Sequence, residues 1–261
     1  MSGVDDGVLL QRDGALAVLV LNDTARRNAF ASPMRHGLLT RLKALTAADD
    51  PCRAVVLTGA GGCFCSGGDI SEMTQRPPLE LRQRDELLLD IFRLIAAGPR
   101  PVVAAVEGFA MGAGMSLAAA CDYVVSADDA RYGCAFVKLG VLPDTGLFWS
   151  LAQRIGAARA RGLMLSGAEF DGRRAHELGL ANRIVAAGGV LEAAMEVARR
   201  MAAMPPLALA LTKAALAGGC ATLERAYETE INLQPILRRS ADHKEAVRAF
   251  LEKRKPVFSG S

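Results

Sequence analysis

Two glycine-rich loops constrain this chain more than any other feature of its sequence. The first reads Gly59-Ala60-Gly61-Gly62-Cys63-Phe64-Cys65-Ser66-Gly67-Gly68-Asp69, the second Gly108-Phe109-Ala110-Met111-Gly112-Ala113-Gly114. Each follows a short apolar run, Ala54–Thr58 and Pro101–Glu107, that reads as a buried strand. Each also precedes a helical pattern, Leu79–Ala97 and Met115–Ala120. A strand, a tight loop and a helix, used twice, predict an α/β layered core.

The flanking segments extend that reading. Val8–Leu10 and Ala15–Leu21 bracket Arg12-Asp13-Gly14, a hairpin signal, and Asp122–Ser126 is a further strand. Ser32-Pro33 predicts a helix to about Ala48, with Ser32 as N-cap and Pro33 at the first helical position. From about Val190 onward the pattern is helical only: Leu191–Met204, Leu207–Ala217, Thr222–Arg239 and His243–Lys255. Pro205-Pro206 and Gly218-Gly219 separate these helices, and Pro235 is expected to kink or end the third. The organisation predicted is an α/β core over residues 1–190 and a helical C-terminal segment over 191–261.

Composition narrows the chemistry. With 261 residues, 51% of them hydrophobic, the chain can bury one large core. A net charge of +3 gives no reason to expect nucleic acid or a membrane surface as partner. The N-terminus MSGVDDGVLL lacks the basic and apolar regions of a signal peptide. Glu107 and several glycines interrupt the most apolar stretch, so it reads as buried strand, turn and helix. Six cysteines and three histidines show no metal-ligand spacing, so no metal centre is expected. The thiols read as reduced and mostly buried, in a cytoplasmic protein.

Neither loop is a phosphate loop of the Walker type, and neither has dinucleotide-binding spacing. Taken singly, each reads as a tight turn. Together they offer more, because backbone N–H groups at helix starts suit a developing negative charge. Two such groups converging on one carbonyl make an oxyanion hole.

Arg26-Arg27-Asn28-Ala29, Cys63–Asp69 and Gly108–Gly114 resemble the successive signatures of the enoyl-CoA hydratase/isomerase, or crotonase, superfamily. The resemblance continues through Gly140–Gly146 and Ala175–Leu180 and ends at Phe250–Phe258, spanning nearly the whole chain in order. It implies a spiral of ββα units followed by helices that build homotrimers, often paired as hexamers. It also implies a coenzyme A thioester as substrate carrier, with no permanently bound cofactor. By position, the oxyanion amides belong to Gly68 and Ala113, where the family usually has glycine at the latter. Arg27, Ala29, Ser66, Asp69, Ile70, Phe250 and Lys253 match coenzyme-A-contacting positions, the last two sometimes serving a neighbouring subunit. Ser116, Phe136 and Met73 fall on the acyl pocket, which the segment from Glu72 to Leu89 is expected to shape.

The acid–base residues decide the reaction. Hydratases of this family use two glutamates, and the matching positions here are Ser116 and Phe136. The remaining carboxylate is Asp144, in Leu142-Pro143-Asp144-Thr145-Gly146. The stretch 135–146 is most similar to the ring-1,2-epoxyphenylacetyl-CoA isomerase branch and to enoyl-CoA isomerase-like members. The resemblance therefore implies an isomerase with Asp144 as proton shuttle. A hydratase or lyase working with one carboxylate, and a decayed binder of CoA esters, are the alternatives. Read without the family, Pro143–Gly146 is a β-turn composition. Asp69 is expected to hold its loop, Asp122 to cap structure after the third helix, and Glu107 is undecided.

Overall fold

The computed structural model describes residues 6–73, 76–219 and 222–261. Its first elements are a hairpin of β1 (Val8–Asp13) and β2 (Leu16–Leu21), paired antiparallel. The turn is Gly14-Ala15, one residue later than the Asp-Gly signal suggests, with Gly14 at φ +58°. Then follow α1 (Ser32–Leu45), β3 (Ala54–Gly59), α2 (Pro78–Ala97) and β4 (Val102–Val106). Next come β5 (Phe109–Met111), α3 (Ala113–Ala120), β6 (Tyr123–Ala127) and β7 (Arg131–Gly133). The middle of the chain adds α4 (Leu147–Ile155), α5 (Ala157–Ser166), β8 (Glu169–Asp171), α6 (Gly172–Leu178) and β9 (Arg183–Val185). Four helices close it: α7 (Val190–Ala202), α8 (Pro206–Gly218), α9 (Leu223–Arg239) and α10 (Ala241–Leu251).

The expected α/β class is present. A six-stranded sheet runs β1-β2-β3-β4-β6-β9, parallel except for the hairpin. β3 and β4 are buried on both faces, which is why they read as unbroken apolar runs. A smaller sheet, β5-β7-β8, lies beside it. Its strands have three residues each, too short to carry a two-residue alternation that sequence reading can detect. α7 lays Val190, Ala194, Val197 and Ala198 on the large sheet. α1 and α2 pack on each other, and α2 reaches α3 and α8. No single helix among the described residues is long and apolar enough to cross a membrane.

Two local expectations need correction, and a third is narrowed. Ser32 is not the N-cap of α1: the helix begins at Ser32, with Ala31 as cap residue, and ends at Leu45. The Ser32 N–H donates to Glu72 Oε1 at 2.8 Å, so a carboxylate forty residues away in sequence does the capping. Of the two outcomes expected at Pro235, a kink or an end, the second does not occur, since α9 continues to Arg239. Finally, helix α3 begins two residues before the expected Met115, at Ala113. Cys52, Cys63, Cys65, Cys121 and Cys134 are buried free thiols, and Cys220 lies outside the described residues.

Candidate active site

Backbone pairing brings the two glycine loops together. Phe64 N–H donates to Glu107 O at 2.8 Å, Cys65 N–H to Phe109 O at 2.8 Å, and Met111 N–H to Cys65 O at 3.0 Å. Cys65 and Ala110 form a parallel bridge. Three glycines permit the approach. A Cβ on Gly67 would stand 3.0 Å from Met111 O. One on Gly114 would stand 2.4 Å from Cys65 O, and one on Gly108 would stand 2.4 Å from Gly62 O. Side chains at these positions would force the loops apart.

Beyond the bridge the loops end in Gly68 and Ala113. Gly112 has φ +49° and ψ −117°, a conformation open only to glycine, and Ala113 then begins α3 with ordinary helical backbone. The unusual alanine therefore adds no strain, because the demanding dihedrals belong to its neighbour. The first intrahelical bond of α3 is Ser116 N–H to Gly112 O at 3.0 Å, which leaves the Ala113 N–H at the open end of the helix. Among the described residues neither the Gly68 nor the Ala113 N–H has a protein acceptor. Two unengaged amides at the ends of adjacent loops, one at a helix start, suit a thioester oxygen.

The segment 26–35 holds the Gly68 loop from behind. Phe30 N–H donates to Gly67 O at 2.7 Å and Ser66 N–H to Arg27 O at 3.0 Å. Asp69 accepts from Ser71 N–H at 2.9 Å and pairs with Arg26 at 2.8 Å, holding its loop as expected. Glu72 caps α1 and meets the buried Arg35 at 2.6 Å, while Arg35 also donates to Phe30 O at 2.5 Å. Burial alone would raise the Glu72 carboxyl, but the Ser32 N–H and the Arg35 guanidinium hold it below the usual range. Asn28, fully buried at φ +56°, donates to Ala60 O at 2.9 Å and Cys63 O at 2.5 Å and accepts from Asp23 N–H. It plugs the turn of the first glycine loop. Sequence reading quoted Asn28 within a motif without assigning this role, and it missed the Arg35–Glu72 pair entirely.

Side chains close over the amides. The Met73 Cε lies 3.4 Å from where a Gly68 Cβ would stand, and the Phe136 Cζ 3.9 Å from where a Gly112 Cβ would stand. Phe136 is thus an apolar wall beside the second loop. Ser116 is fully buried behind that loop, and its hydroxyl donates to Gly112 O at 3.3 Å. Asp144 lies on the turn before α4, with Thr145 Oγ1 donating to its carboxylate at 3.1 Å. Burial pushes the Asp144 carboxyl above the usual range, against the Thr145 hydroxyl and the Arg84 charge. Thr145 has φ +51° and Gly146 φ +73°. Left-handed backbone at a β-branched residue is strained, and the Phe92 ring of α2 lies so close to Gly146 that a Cβ there would stand 2.3 Å from it.

The other matched positions divide. Arg27 is exposed, with its guanidinium 5.4 Å above the Phe109 ring, and Ala29 is buried beside it. Ser66 donates its hydroxyl to Arg26 O, and Ile70 is exposed beside the Gly68 loop. These residues share one edge of the site. Phe250 and Lys253 are exposed at the end of α10, which packs on α9, so they are not gathered with that edge by any bond among the described residues. Asp122 accepts from Val102 N–H and Lys213, pinning α8 to β4. Glu107 accepts from Gly188 N–H at 2.6 Å.

A family model described as enoyl-CoA hydratase/isomerase matches residues 11–261. The chain is 37% identical to the 1,2-epoxyphenylacetyl-CoA isomerase of Escherichia coli K12, covering 100% of this chain and 98% of that one. It is 34% identical to the crotonyl-CoA hydratase of Syntrophomonas wolfei, over 97% and 98%. The crystal structure of an enoyl-CoA hydratase from Polaromonas sp. JS666 superposes with a TM-score of 0.91 at 33% identity, covering 97% of this chain and 99% of that one. The chain belongs to the enoyl-CoA hydratase/isomerase family of crotonase-fold acyl-CoA enzymes.

Proposed function

We propose that this enzyme is an enoyl-CoA-type isomerase in which Asp144 carries a proton between two carbons of the acyl group. The thioester oxygen is held by the N–H groups of Gly68 and Ala113. Asp144 removes a proton from carbon, the resulting enolate oxygen is stabilised by the two amides, and the same carboxylic acid returns the proton elsewhere. Nothing is gained or lost in the cycle. Each oxyanion donor contributes about 3 kcal/mol to such a step. The observation that carries the reading is the Asp144 carboxyl itself. It is half-buried, raised above the usual range by that burial and, among the described residues, engaged by one hydroxyl only, while positions 116 and 136 hold Ser and Phe. A raised pKa brings the carboxylate nearer the working pH, as a carbon acid requires.

Arg27, Ala29, Ser66, Asp69 and Ile70 take the coenzyme A moiety in this reading, and Phe250 and Lys253 reach it from α10 of a neighbouring subunit. The assembly is a homotrimer or a pair of trimers, built on the segment 191–261. Support comes from α9, which buries no residue in the isolated chain and exposes Leu223, Tyr227 and Ile231 at a four-residue spacing.

The test offers 3-enoyl-CoA and 2-enoyl-CoA separately and follows products by mass spectrometry. The expected product has the mass of its substrate. A gain of one water from the 2-enoyl substrate sinks the isomerase reading.

A further inference from the structure

The inward stripe of α2 is continued by a half-buried arginine whose Nε has no hydrogen-bond partner among the described residues. Leu88, Ile91 and Ile95 of that helix are buried, and Phe92 packs on Gly146 and edge-on against Trp149. Arg84 stands one turn before Leu88 and two turns before Ile91, so it continues the same stripe toward the start of the helix. Its Nε is buried and has no hydrogen-bond partner among the described residues. No carboxylate among them lies within the 4.0 Å of an ion pair. The other arginines turned into the protein are engaged: Arg35 by Glu72 and Phe30 O, and Arg154 by the carbonyls of Ala119, Cys121 and Leu180. Phe92, two turns further along α2, lies against Gly146 of the turn that carries Asp144, and the Arg84 charge opposes the upward push of burial on the Asp144 carboxyl. Asp85, next along α2, is exposed to water.

A buried guanidinium N–H without an acceptor is unfavourable, and half-buried Arg84 has no carboxylate in ion-pair contact among the described residues. The planar fork of arginine matches a carboxylate with two parallel hydrogen bonds. We propose that Arg84 is a specificity-determining residue that receives a carboxylate on the acyl group, so that the preferred substrates are thioesters of dicarboxylic acids. The inference rests on the reading above, in which the acyl group lies against Asp144. A neutral hydroxyl or carbonyl oxygen would satisfy the N–H but leave the charge unpaired. The carboxylate satisfies both.

The experiment compares a medium-chain 3-enoyl-CoA with its counterpart of equal length ending in a carboxylate, in the intact enzyme and in Arg84→Met and Arg84→Lys. The quantity read is the ratio of kcat/KM for the two substrates, and in parallel the ratio of Kd for the two CoA esters. The native enzyme is expected to favour the carboxylate by about 10- to 100-fold, mostly through KM. Arg84→Met should bring both ratios to about 1, and Arg84→Lys should restore part of the preference. Equal use of the two substrates by the native enzyme overturns the proposal, as does an Arg84→Met variant that keeps the native ratio. Preference for a hydroxy- or keto-acyl thioester over the carboxylate overturns it as well. If neither ester turns over, the reaction assigned to Asp144 has failed, and the Kd ratio still decides the role of Arg84.

Discussion

Replacing Gly112 by alanine separates the backbone of the oxyanion hole from the stability of the fold. A Cβ there would meet nothing closer than 3.9 Å, so Gly112→Ala creates no clash. What it creates is strain, because φ +49° with ψ −117° suits only glycine. Holding a non-glycine residue in such a region costs about 1–3 kcal/mol. The chain relieves that strain by rotating at residue 112, and the ψ of Gly112 sets the direction of the next N–H, that of Ala113. The amide then no longer points at the thioester oxygen. Loss of one oxyanion donor corresponds to a fall in kcat of roughly 100- to 1000-fold. KM should change little, since the donor acts on charge that develops in the transition state. Gly14→Ala is the control: φ is +58° in the first hairpin turn, with nothing within 4 Å of the added Cβ. Both variants should lower Tm by roughly 2–10 °C, on the usual scaling for a chain of this size. Only Gly112→Ala should lose kcat. A Gly112→Ala enzyme with native kcat and an ordinary loss of Tm would falsify the role given to the Ala113 amide.

Two further substitutions test the groups around this hole. Asp144→Asn should abolish exchange of the substrate carbon proton while CoA-ester binding persists, and native kcat/KM should rise with pH through a carboxyl pKa above 3.8 before levelling. The same shift has a stability sign: a carboxyl raised in the folded state favours the fold below its unfolded pKa and weakens it as pH rises, so Asp144→Asn should melt higher than the native protein at neutral pH. Glu72→Gln should lose about 1.5–3 kcal/mol, because Arg35 keeps only part of its partner. The Glu72 carboxyl is held below 4.5, so its contribution exists above the unfolded pKa and disappears as pH falls through the folded one. Melting curves between neutral and acid pH should show that acid limb shrink in the variant.

The order of elements was legible because each left a local mark. The hairpin, the buried runs of β3 and β4 and the amphipathic helices each write their period into consecutive residues. Features that depend on distant partners were not legible. Ser32 has the composition of an N-cap, yet the Glu72 carboxylate occupies that place from across the first loop. Pro235 should kink or stop an isolated helix, and sequence alone does not say which; α9 runs through it to Arg239. In the site, the two loops were readable from their glycines, but not the Cys65–Ala110 bridge that aligns them, since no residue type announces a parallel contact across 45 positions (110 − 65). Asn28 and Arg84 were missed for the same reason. A polar group turned inward reveals its task only through what surrounds it: carbonyls for Asn28, none for the Nε of Arg84.

The Cys65–Ala110 bridge also divides labour between main chain and side chains. Strand spacing, and not any rotamer, fixes how far apart the two amides stand. The residues that would decide what happens to the enolate hang on separate supports: Ser116 on α3, Phe136 on the short turn 135–139, and Asp144 on the turn before α4. None of the three takes part in the Cys65–Ala110 bridge. On the proposed reading, a chain built this way can change its reaction by altering one side chain at a time while the two amides keep their place. Alanine at 113 is the mildest instance, a new side chain on an amide whose position was never a side chain's to determine.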